Sequence, residues 1–233
     1  MKKTFLFLAF SLFAITLVFN SCSSSRDEEV INYTISPSSL TTNYDKTQQL
    51  SVLNGSSTLN NSDFNWSSSN EISGKVSSSG LFTAGKIGET TITATNIKNG
   101  KSVNTKITVN PYQNFFKEPI LEFGQTKEYI KSKETRTLLK ETTTGLSYVG
   151  ENSSIRNIGY TFDSNGKMNS AIVLFDNNVN LVSNVVTFYK ERYYYLGLVN
   201  NNNSFVTTDK SIGIQIDSGS NSTLGFNALY LKL

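Results

Sequence analysis

The sequence of 233 residues contains no histidine and only one cysteine, Cys22. The absence of histidine excludes Ser-His-Asp and Cys-His catalysis, histidine general bases and every histidine-ligated zinc or iron site. A single cysteine forms neither an intrachain disulfide nor a thiolate cluster for a metal. We therefore expect no metal and no cofactor.

Charge and proline are also scarce. Charged residues make up 17% of the chain, and the net charge is only +3. Because lysine and arginine are scattered among acidic residues, we expect no nucleic-acid partner. Only three prolines are present, whereas Ser, Thr and Asn are abundant and 12% of the residues are aromatic. This composition predicts a β-rich protein that functions outside the cytoplasm.

Residues 1–21 have the pattern of an export signal. Met1-Lys2-Lys3 is positively charged, and the apolar run from Phe5 to Phe19 is shorter than the ~20 residues of a membrane-spanning helix. Phe19-Asn20-Ser21-Cys22 resembles the lipobox of bacterial lipoproteins. The resemblance implies cleavage before Cys22 and lipidation of that cysteine, for example with palmitate. An ordinary signal peptide followed by an incidental cysteine is the alternative.

Residues 22–29 are predicted to be a polar tether. Acidic residues soon after the cysteine, Asp27 to Glu29, resemble the surface-export signals of some Gram-negative lipoproteins. The resemblance implies an exported protein, anchored in the outer membrane through Cys22 and exposed at the cell surface. A plain solvated linker is the alternative, since short charged runs are usually solvated.

Residues 30–111 show short β-segments separated by turns, without helical periodicity. Ile31 to Ile35 alternates strictly, and two longer strands over 90–95 and 103–109 end the segment. Strands at this spacing predict an all-β immunoglobulin-like sandwich. Trp66, the only tryptophan, is predicted on a central strand with its indole in the core.

Three segments of this module carry a family resemblance. They are Trp66-Ser-Ser-Ser-Asn70, Gly74-Lys-Val-Ser-Ser-Ser-Gly80-Leu-Phe-Thr-Ala-Gly85 and Gly88-Glu-Thr-Thr-Ile-Thr-Ala-Thr95. In this order they resemble the bacterial Ig-like domain group 2 (Big2) pattern, and we expect Gly80 and Gly85 to have positive φ at turns. The resemblance implies a non-enzymatic spacer or adhesion module on a bacterial surface.

The pattern changes after Pro111, so residues 112–233 are predicted to be a second domain. Helical spacing predicts one helix over 125–133 and another over about 178–192. Three strands are predicted after each helix. We therefore predict an α+β domain of two helix-plus-three-strand repeats, with an antiparallel sheet and both helices on one face. Each module is expected to fold on its own.

Two local patterns refine this domain. Asp163-Ser-Asn-Gly-Lys167 predicts a hairpin with Gly166 in the left-handed region, which places Phe162 opposite Met168 and Ile158 opposite Ile172. Glu122 to Ile130 resembles the helix opening of small envelope lipoproteins of the BamE and β-lactamase-inhibitor-like type. That resemblance implies a sheet that binds protein.

Candidate functional residues are few. The carboxylates available for a glycosidase pair are Glu118, Glu122, Glu141, Glu151, Asp163 and Asp217. No motif fixes two of them across a cleft, so we do not expect an enzyme. The run Tyr193-Tyr194-Tyr195 is a candidate ligand contact, because tyrosine contacts sugars and protein hot spots. Burial of alternate residues between helix and strand is the alternative reading.

These observations favour a non-catalytic, lipid-anchored envelope protein. In this interpretation the Ig-like module presents a C-terminal domain that binds an envelope protein or a glycan. Two alternatives stay open at this point. One is a periplasm-facing accessory or inhibitor-like protein, and the other is a carbohydrate-active enzyme.

We predict that Cys22→Ser releases the protein from the membrane fraction, because the lipid attached at that position is the expected anchor. Fractionation of cells followed by a carbonate wash and immunoblotting measures this. A Ser25→Ala variant is the matched control and is expected to stay with the membranes. A Cys22→Ser protein that resists the carbonate wash would show that the anchor lies elsewhere.

Overall fold

The computed structural model describes residues 31–219 and 224–233. The predicted signal peptide 1–21, the lipidation site Cys22 and the tether 22–29 therefore lie outside the described residues. Strands hold 49% of the structure and helices only 11%, so β-structure dominates both halves of the chain. None of the helices in the described ranges is long and apolar enough to cross a membrane.

The N-terminal module, as far as the structure describes it, comprises ten short strands in three sheets. The strands are β1 (Tyr33–Ser36), β2 (Ser39–Asn43), β3 (Thr47–Gln49), β4 (Ser51–Asn54), β5 (Ser57–Thr58), β6 (Phe64–Ser68), β7 (Gly74–Val76), β8 (Leu81–Ala84), β9 (Gly88–Asn96) and β10 (Ser102–Asn110). The sheet orders are β1-β4-β5, β2-β10-β9-β6 and β3-β8-β7, and β2 joins β10 in parallel.

The core of this module follows from strict alternation along its longest strands. In β9 every second residue from Thr90 to Asn96 is buried, and its neighbours on β10 alternate in the same way. The buried apolar cluster consists of Ile35, Leu50, Val52, Phe64, Phe82, Ala84, Ile92, Ala94, Ile107 and Val109. Burial of one face of each sheet is the main force that stabilises such a sandwich.

Trp66 packs against this core but is only partly buried. Its indole N–H donates a hydrogen bond to the carbonyl of Asn61 at 3.1 Å. The prediction that Trp66 lies on a central strand is wrong, because β6 is at the edge of its four-stranded sheet. The indole is therefore partly accessible to water instead of enclosed in the core.

The two glycines predicted at turns behave differently. Gly80 has φ = 80°, which confirms the expected left-handed conformation. The same expectation for Gly85 is wrong, since its φ is not positive. A Cβ atom at Gly85 would lie 2.3 Å from the carbonyl oxygen of Ile72. Glycine is needed there because two backbone segments approach closely.

The C-terminal half forms one antiparallel sheet of eight strands, counted over the described residues, together with two helices. The helices are α1 (Lys127–Lys133) and α2 (Val179–Lys190). The strands are β11 (Leu138–Glu141), β12 (Gly145–Val149), β13 (Ile155–Phe162), β14 (Met168–Phe175), β15 (Tyr194–Val199), β16 (Asn202–Val206), β17 (Ile212–Asp217) and β18 (Asn227–Lys232). Their order in the sheet is β11-β12-β13-β14-β18-β17-β16-β15.

One face of this sheet carries the second core. Cross-strand neighbours form a continuous apolar row of Leu146, Tyr160, Ala171, Tyr230, Ile214 and Phe205. Ile130 of α1 and Val185, Phe188 and Tyr189 of α2 are buried in the same cluster. The helices therefore pack on this face, and the two modules have separate hydrophobic cores.

The predicted α+β domain of two helix-plus-three-strand repeats is wrong. The prediction counts residues 136–140 together with 146–149 as one of the three strands after the first helix. A turn in which the Thr142 N–H bonds the Gly145 carbonyl separates them into two strands, β11 and β12. Residues 205–216 are divided likewise by a turn at Thr207 to Lys210, where Lys210 has φ = 58°. Strand structure therefore dominates this half, where eight strands accompany two helices of only 7 and 12 residues.

The hairpin prediction is correct at its turn and wrong further along. Gly166 has φ = 71°, and Phe162 lies opposite Met168 as expected. A register shift between Thr161 and Phe162 then places Ile158 opposite Val173 instead of Ile172. A β-bulge of this kind adds one residue to one strand and leaves no hydrophobic signature in the sequence.

We predict that Trp66→Ala destabilises the N-terminal module by about 2–4 kcal/mol, somewhat less than a fully buried tryptophan would cost. Circular dichroism during denaturant unfolding measures the loss, with Trp66→Phe as a control that keeps an aromatic ring. Because Trp66 is the only tryptophan, its fluorescence follows this module alone. A loss below about 1 kcal/mol would contradict the packing described above.

Candidate functional site

The exposed strand β15 is the most unusual surface of the C-terminal domain. It is the last strand in the sheet order, so only one of its sides pairs with a neighbour, β16. Its exposed large hydrophobic residues are Tyr194, Tyr195, Leu196, Leu198 and Val199, with exposed fractions between 41% and 66%. Soluble proteins rarely leave a contiguous apolar edge of this kind open unless it binds something.

The strand at the opposite edge of the sheet, β11, contains charged residues. Leu138 and Leu139 are exposed there as well, but the strand continues with Lys140 and Glu141. The Glu141 carboxylate lies 2.7 Å from the Lys131 ammonium of α1. Charged side chains are the usual protection of a sheet edge against unwanted pairing. Strand β15 contains no charged residue, so it lacks this protection.

A β-bulge sets the directions of the side chains on β15. The register with β16 shifts between Tyr195 and Gly197, so Leu196 is the extra residue. Tyr195 lies opposite Phe205 and Leu198 opposite Asn203, which places both on the helix-covered face. Tyr194 and Val199 lie on the other face for the same reason.

The structure separates the three candidate tyrosines. The Tyr195 hydroxyl donates to the Asn203 side-chain oxygen at 2.9 Å, and the Lys190 ammonium lies 4.8 Å from the Tyr195 ring centroid. The Tyr194 ring lies 5.6 Å from the Lys86 ammonium, which belongs to the N-terminal module. Tyr194 and Tyr195 are thus both on the exposed edge strand, and each has a cation near its ring.

Tyr193 points inward. Its hydroxyl donates to both carboxylate oxygens of Glu118, at 2.9 and 3.0 Å, and its ring stacks on Tyr189. The Tyr230 hydroxyl also donates to Glu118, at 3.0 Å, and lies 2.5 Å from that of Tyr189. This cluster connects the segment before α1 to α2 and β18. Tyr193 therefore supports β15 from beneath, whereas its two neighbours form the surface.

Burial controls the ionisation of this cluster. Desolvation raises the pKa of Glu118, and this is opposed by the hydrogen bonds from Tyr193 and Tyr230 and by the charge of Arg192. Burial and the nearby Glu118 charge raise the pKa of Tyr193. The phenols consequently stay protonated and act as donors to the carboxyl group.

Glu191 joins the two modules directly beside the edge strand. Its side chain is fully buried, and its carboxylate accepts the backbone N–H of Tyr112 at 2.5 Å and that of Gln113 at 3.3 Å. Arg192 donates to the same carboxylate at 3.3 Å and to the Gln113 carbonyl at 3.2 Å. The linker between the modules is therefore held at the C-terminal end of α2.

A second set of contacts at this joint comes from the turn after β8. The Ile87 N–H donates to the Glu191 carbonyl at 2.9 Å, and the Lys86 ammonium donates to the Lys190 carbonyl at 2.6 Å. A cation is favoured at the C-terminal end of a helix, where carbonyl groups have no partner within the helix. Burial lowers the pKa of Lys86. Beside it lies a cleft of about 460 Å³, whose lining includes Ile72 and Tyr194.

The carboxylates considered for a glycosidase pair are distributed over the domain and have local partners. Glu122 accepts from Tyr129, Glu141 pairs with Lys131, and Glu151 pairs with Arg136. Asp163 accepts the N–H groups of its own hairpin turn, and Asp217 accepts that of Gly219. Within residues 31–219 and 224–233, no three Asp, Glu, His or Cys side chains are grouped as a metal site would require.

The sequence did not indicate Glu191 or Lys86 as important residues. Glu191 follows the last residue of an amphipathic helix, where a surface acid is the ordinary expectation. The available signal was its position at a helix end beside Arg192, which does not specify a partner about eighty residues away in the chain.

Comparison with known proteins identifies the N-terminal module. Residues 29–107 match the family model of the bacterial Ig-like domain (group 2). The match confirms the resemblance carried by Trp66 to Asn70 and by the two glycine-bounded segments after it. Residues 108–233 lie outside the match, so the resemblance of Glu122 to Ile130 to envelope lipoproteins stays a prediction. No curated protein matches the chain.

Several solved structures show limited similarity. A bacterial Ig-like domain containing GH10 xylanase from termite gut is 22% identical over 43% of this chain and 23% of its own, with a TM-score of 0.24. Domains 5–6 of the S-layer protein SbsC are 12% identical over 88% of this chain and 84% of their own, with a TM-score of 0.27. Invasin, a bacterial integrin-binding protein, is 15% identical over 84% of this chain and 35% of its own, with a TM-score of 0.26. The chain thus spans less than half of the xylanase and of invasin, and such TM-scores carry no functional inference.

We predict that Glu191→Ala uncouples the modules, because the Tyr112 and Gln113 N–H groups lose their acceptor and each lost hydrogen bond costs ~0.5–1.5 kcal/mol. Differential scanning calorimetry should then show two separated transitions in place of closely coupled unfolding. Glu128→Ala, an exposed acid on α1, is the matched control and should leave the profile unchanged. An unaltered profile for Glu191→Ala would show that these contacts do not couple the modules.

Proposed function

We propose that this protein is a non-catalytic binding protein of the bacterial cell envelope, anchored in the outer membrane by a lipid at Cys22 and exposed at the cell surface. The Ig-like module acts as a spacer, and the C-terminal domain binds a protein or a glycan. The observation that carries this proposal is the uncharged, exposed edge strand β15, with Tyr194 and Tyr195 at its start.

The joint at Glu191 supports a spacer role for the Ig-like module. A spacer that presents a binding domain works best when the linker does not let the domain fold back. Here the linker N–H groups of Tyr112 and Gln113 are bonded to a buried carboxylate instead of to water. Such buried, charge-assisted hydrogen bonds are stronger than neutral ones and hold a defined geometry.

The composition of β15 supports recognition by contact instead of catalysis. Tyrosine and leucine are large side chains whose burial in an interface is favourable, and tyrosine is enriched among the residues that dominate binding energy. Tyr195 is held in place by Phe205 at 5.1 Å between ring centroids and by its bond to Asn203. A held side chain loses less conformational entropy when a partner covers it.

Two features support the proposed lipid anchor and surface location: the sequence of the first 29 residues and the Ig-like family of the N-terminal module. The lipobox-like Phe19 to Cys22 and the acidic residues after it support export and lipidation. The family match over residues 29–107 is consistent with these, because the resemblance implies a module used at bacterial surfaces. Protease treatment of intact cells separates surface exposure from a periplasm-facing accessory protein, which would be spared.

We predict that Tyr194→Ala and Tyr195→Ala each weaken partner binding by about 1–3 kcal/mol, the range for aromatic contacts in an interface. A soluble form that begins at Ser23 serves for pull-downs against envelope extracts and for glycan-array binding. Leu139→Ala on the charged edge β11 is the control and should bind normally.

The outcome also separates the function classes. Binding that is lost with both tyrosine variants and kept with Leu139→Ala supports the proposal. Binding that none of these variants alters would place the contact surface elsewhere. Hydrolysis of a bound glycan that disappears in a Glu→Gln variant would contradict a non-catalytic role.

A further inference from the structure

We propose that β15 pairs in antiparallel fashion with β15 of a second copy of this chain, so that two eight-stranded sheets become continuous. The inference rests on the proposed binding role of the same strand and names the partner.

The charge pattern favours a second copy. A twofold-symmetric interface brings each residue of a strand against residues of the same strand, so any charge would meet an equal charge nearby. Strand β15 has the sequence Tyr-Tyr-Leu-Gly-Leu-Val and carries no charge at all. The strand at the other edge, β11, contains the charged residues Lys140 and Glu141 and is not neutral in this way.

The bulge at Leu196 makes the strand self-complementary. Antiparallel pairing about the midpoint between Leu196 and Gly197 places Tyr194 opposite Val199 of the second copy, and Tyr195 opposite its Leu198. Residues that lie opposite each other in a sheet must point to the same face. In a regular strand, positions 194 and 199 would point to opposite faces, because they are an odd number of residues apart, and so would positions 195 and 198. The extra residue corrects this parity, since Tyr194 shares a face with Val199 and Tyr195 shares one with Leu198.

The resulting pairs are favourable ones. Each symmetric interface contains two aromatic–aliphatic pairs of the Tyr194–Val199 type and two of the Tyr195–Leu198 type. Aromatic side chains opposite aliphatic or β-branched ones are among the stabilising cross-strand combinations, each contributing about 0.2–1 kcal/mol. The backbone N–H and C=O groups on the open side of β15 gain partners at the same time.

The surroundings of the tyrosines favour a strand over a sugar as the occupant. A sugar needs a free ring face on which to stack, but the Tyr195 ring already has Lys190 at 4.8 Å and Phe205 at 5.1 Å from its centroid. The Lys86 ammonium lies 5.6 Å from the Tyr194 centroid. Strand pairing uses the backbone and the sides of the rings, and so it leaves these cations in place. A glycan at this edge is therefore an outcome that the test must distinguish.

The interface is small. Pairing of one six-residue strand is expected to bury less than the ~1,200 Å² of ordinary stable complexes, so we expect a weak dimer in solution. Attachment of both copies to one membrane surface would raise their effective concentration and favour the dimer.

Sedimentation equilibrium of the soluble form that begins at Ser23 tests this inference. We expect a reversible monomer–dimer equilibrium up to about 1 mM protein. Leu198→Lys, at a position 66% exposed, is expected to weaken the dimer at least about tenfold through like-charge repulsion. Leu139→Lys on β11 is the matched control and should dimerise like the unmodified protein.

The register is tested by cross-linking of the same form, which contains no native cysteine. The double variant Tyr195→Cys with Leu198→Cys should give a covalent dimer on mild oxidation, because these positions face each other in the proposed pairing. Tyr194→Cys with Leu198→Cys should not, because those positions lie on opposite faces. Equal cross-linking of both double variants would contradict the register.

Failure of this inference is distinguishable from failure of the proposed function. A protein that stays monomeric at every concentration, while Tyr194→Ala and Tyr195→Ala still abolish capture of another protein or a glycan, overturns self-pairing and leaves the binding role intact. A monomer whose pull-downs are also insensitive to both tyrosine variants overturns the two proposals together.

Discussion

The buried carboxylate of Glu191 is the interaction on which the arrangement of this protein depends. An ionised or strongly polar group without solvent must be satisfied by hydrogen bonds, and here the donors are the linker N–H groups of Tyr112 and Gln113 and the guanidinium of Arg192. The linker N–H groups need acceptors in turn, and the Glu191 carboxylate supplies them. A helix end of one module thereby determines the path of the chain that leaves the other.

The position of β15 follows from this joint. The strand begins three residues after Glu191, and its first ring lies beside Lys86 of the Ig-like module. Beneath it, Glu118 and three tyrosines form a hydrogen-bonded cluster at the transition from α2 to the sheet. The apolar edge is thus contacted from two sides, by the Ig-like module and by the tyrosine cluster.

Sequence patterns predicted the features that depend on local chemistry. Strand alternation and the Trp66 to Asn70 segment indicated the Ig-like module. In the C-terminal domain, Gly166 indicated the turn of the hairpin between β13 and β14. Features that depend on strand count and sheet order were missed, because the turns at Thr142 and Thr207 lack strong turn signals. Tyr193, Tyr194 and Tyr195 were identified as a group, but only the three-dimensional structure separates the partly buried first residue from the two exposed ones. The partners of Glu191 are distant in sequence, and no local pattern encodes them.

Native-state hydrogen exchange at the joint tests the central claim most directly. If the linker is held as described, the amides of Ile87, Tyr112 and Gln113 should exchange as slowly as amides within the sheets, since all three are bonded to Glu191. Protection of these amides, with rapid exchange at the exposed Asn114 next to them, would support a fixed joint. Exchange of all four at the rate of an unstructured peptide would contradict it and would mean that the linker is free.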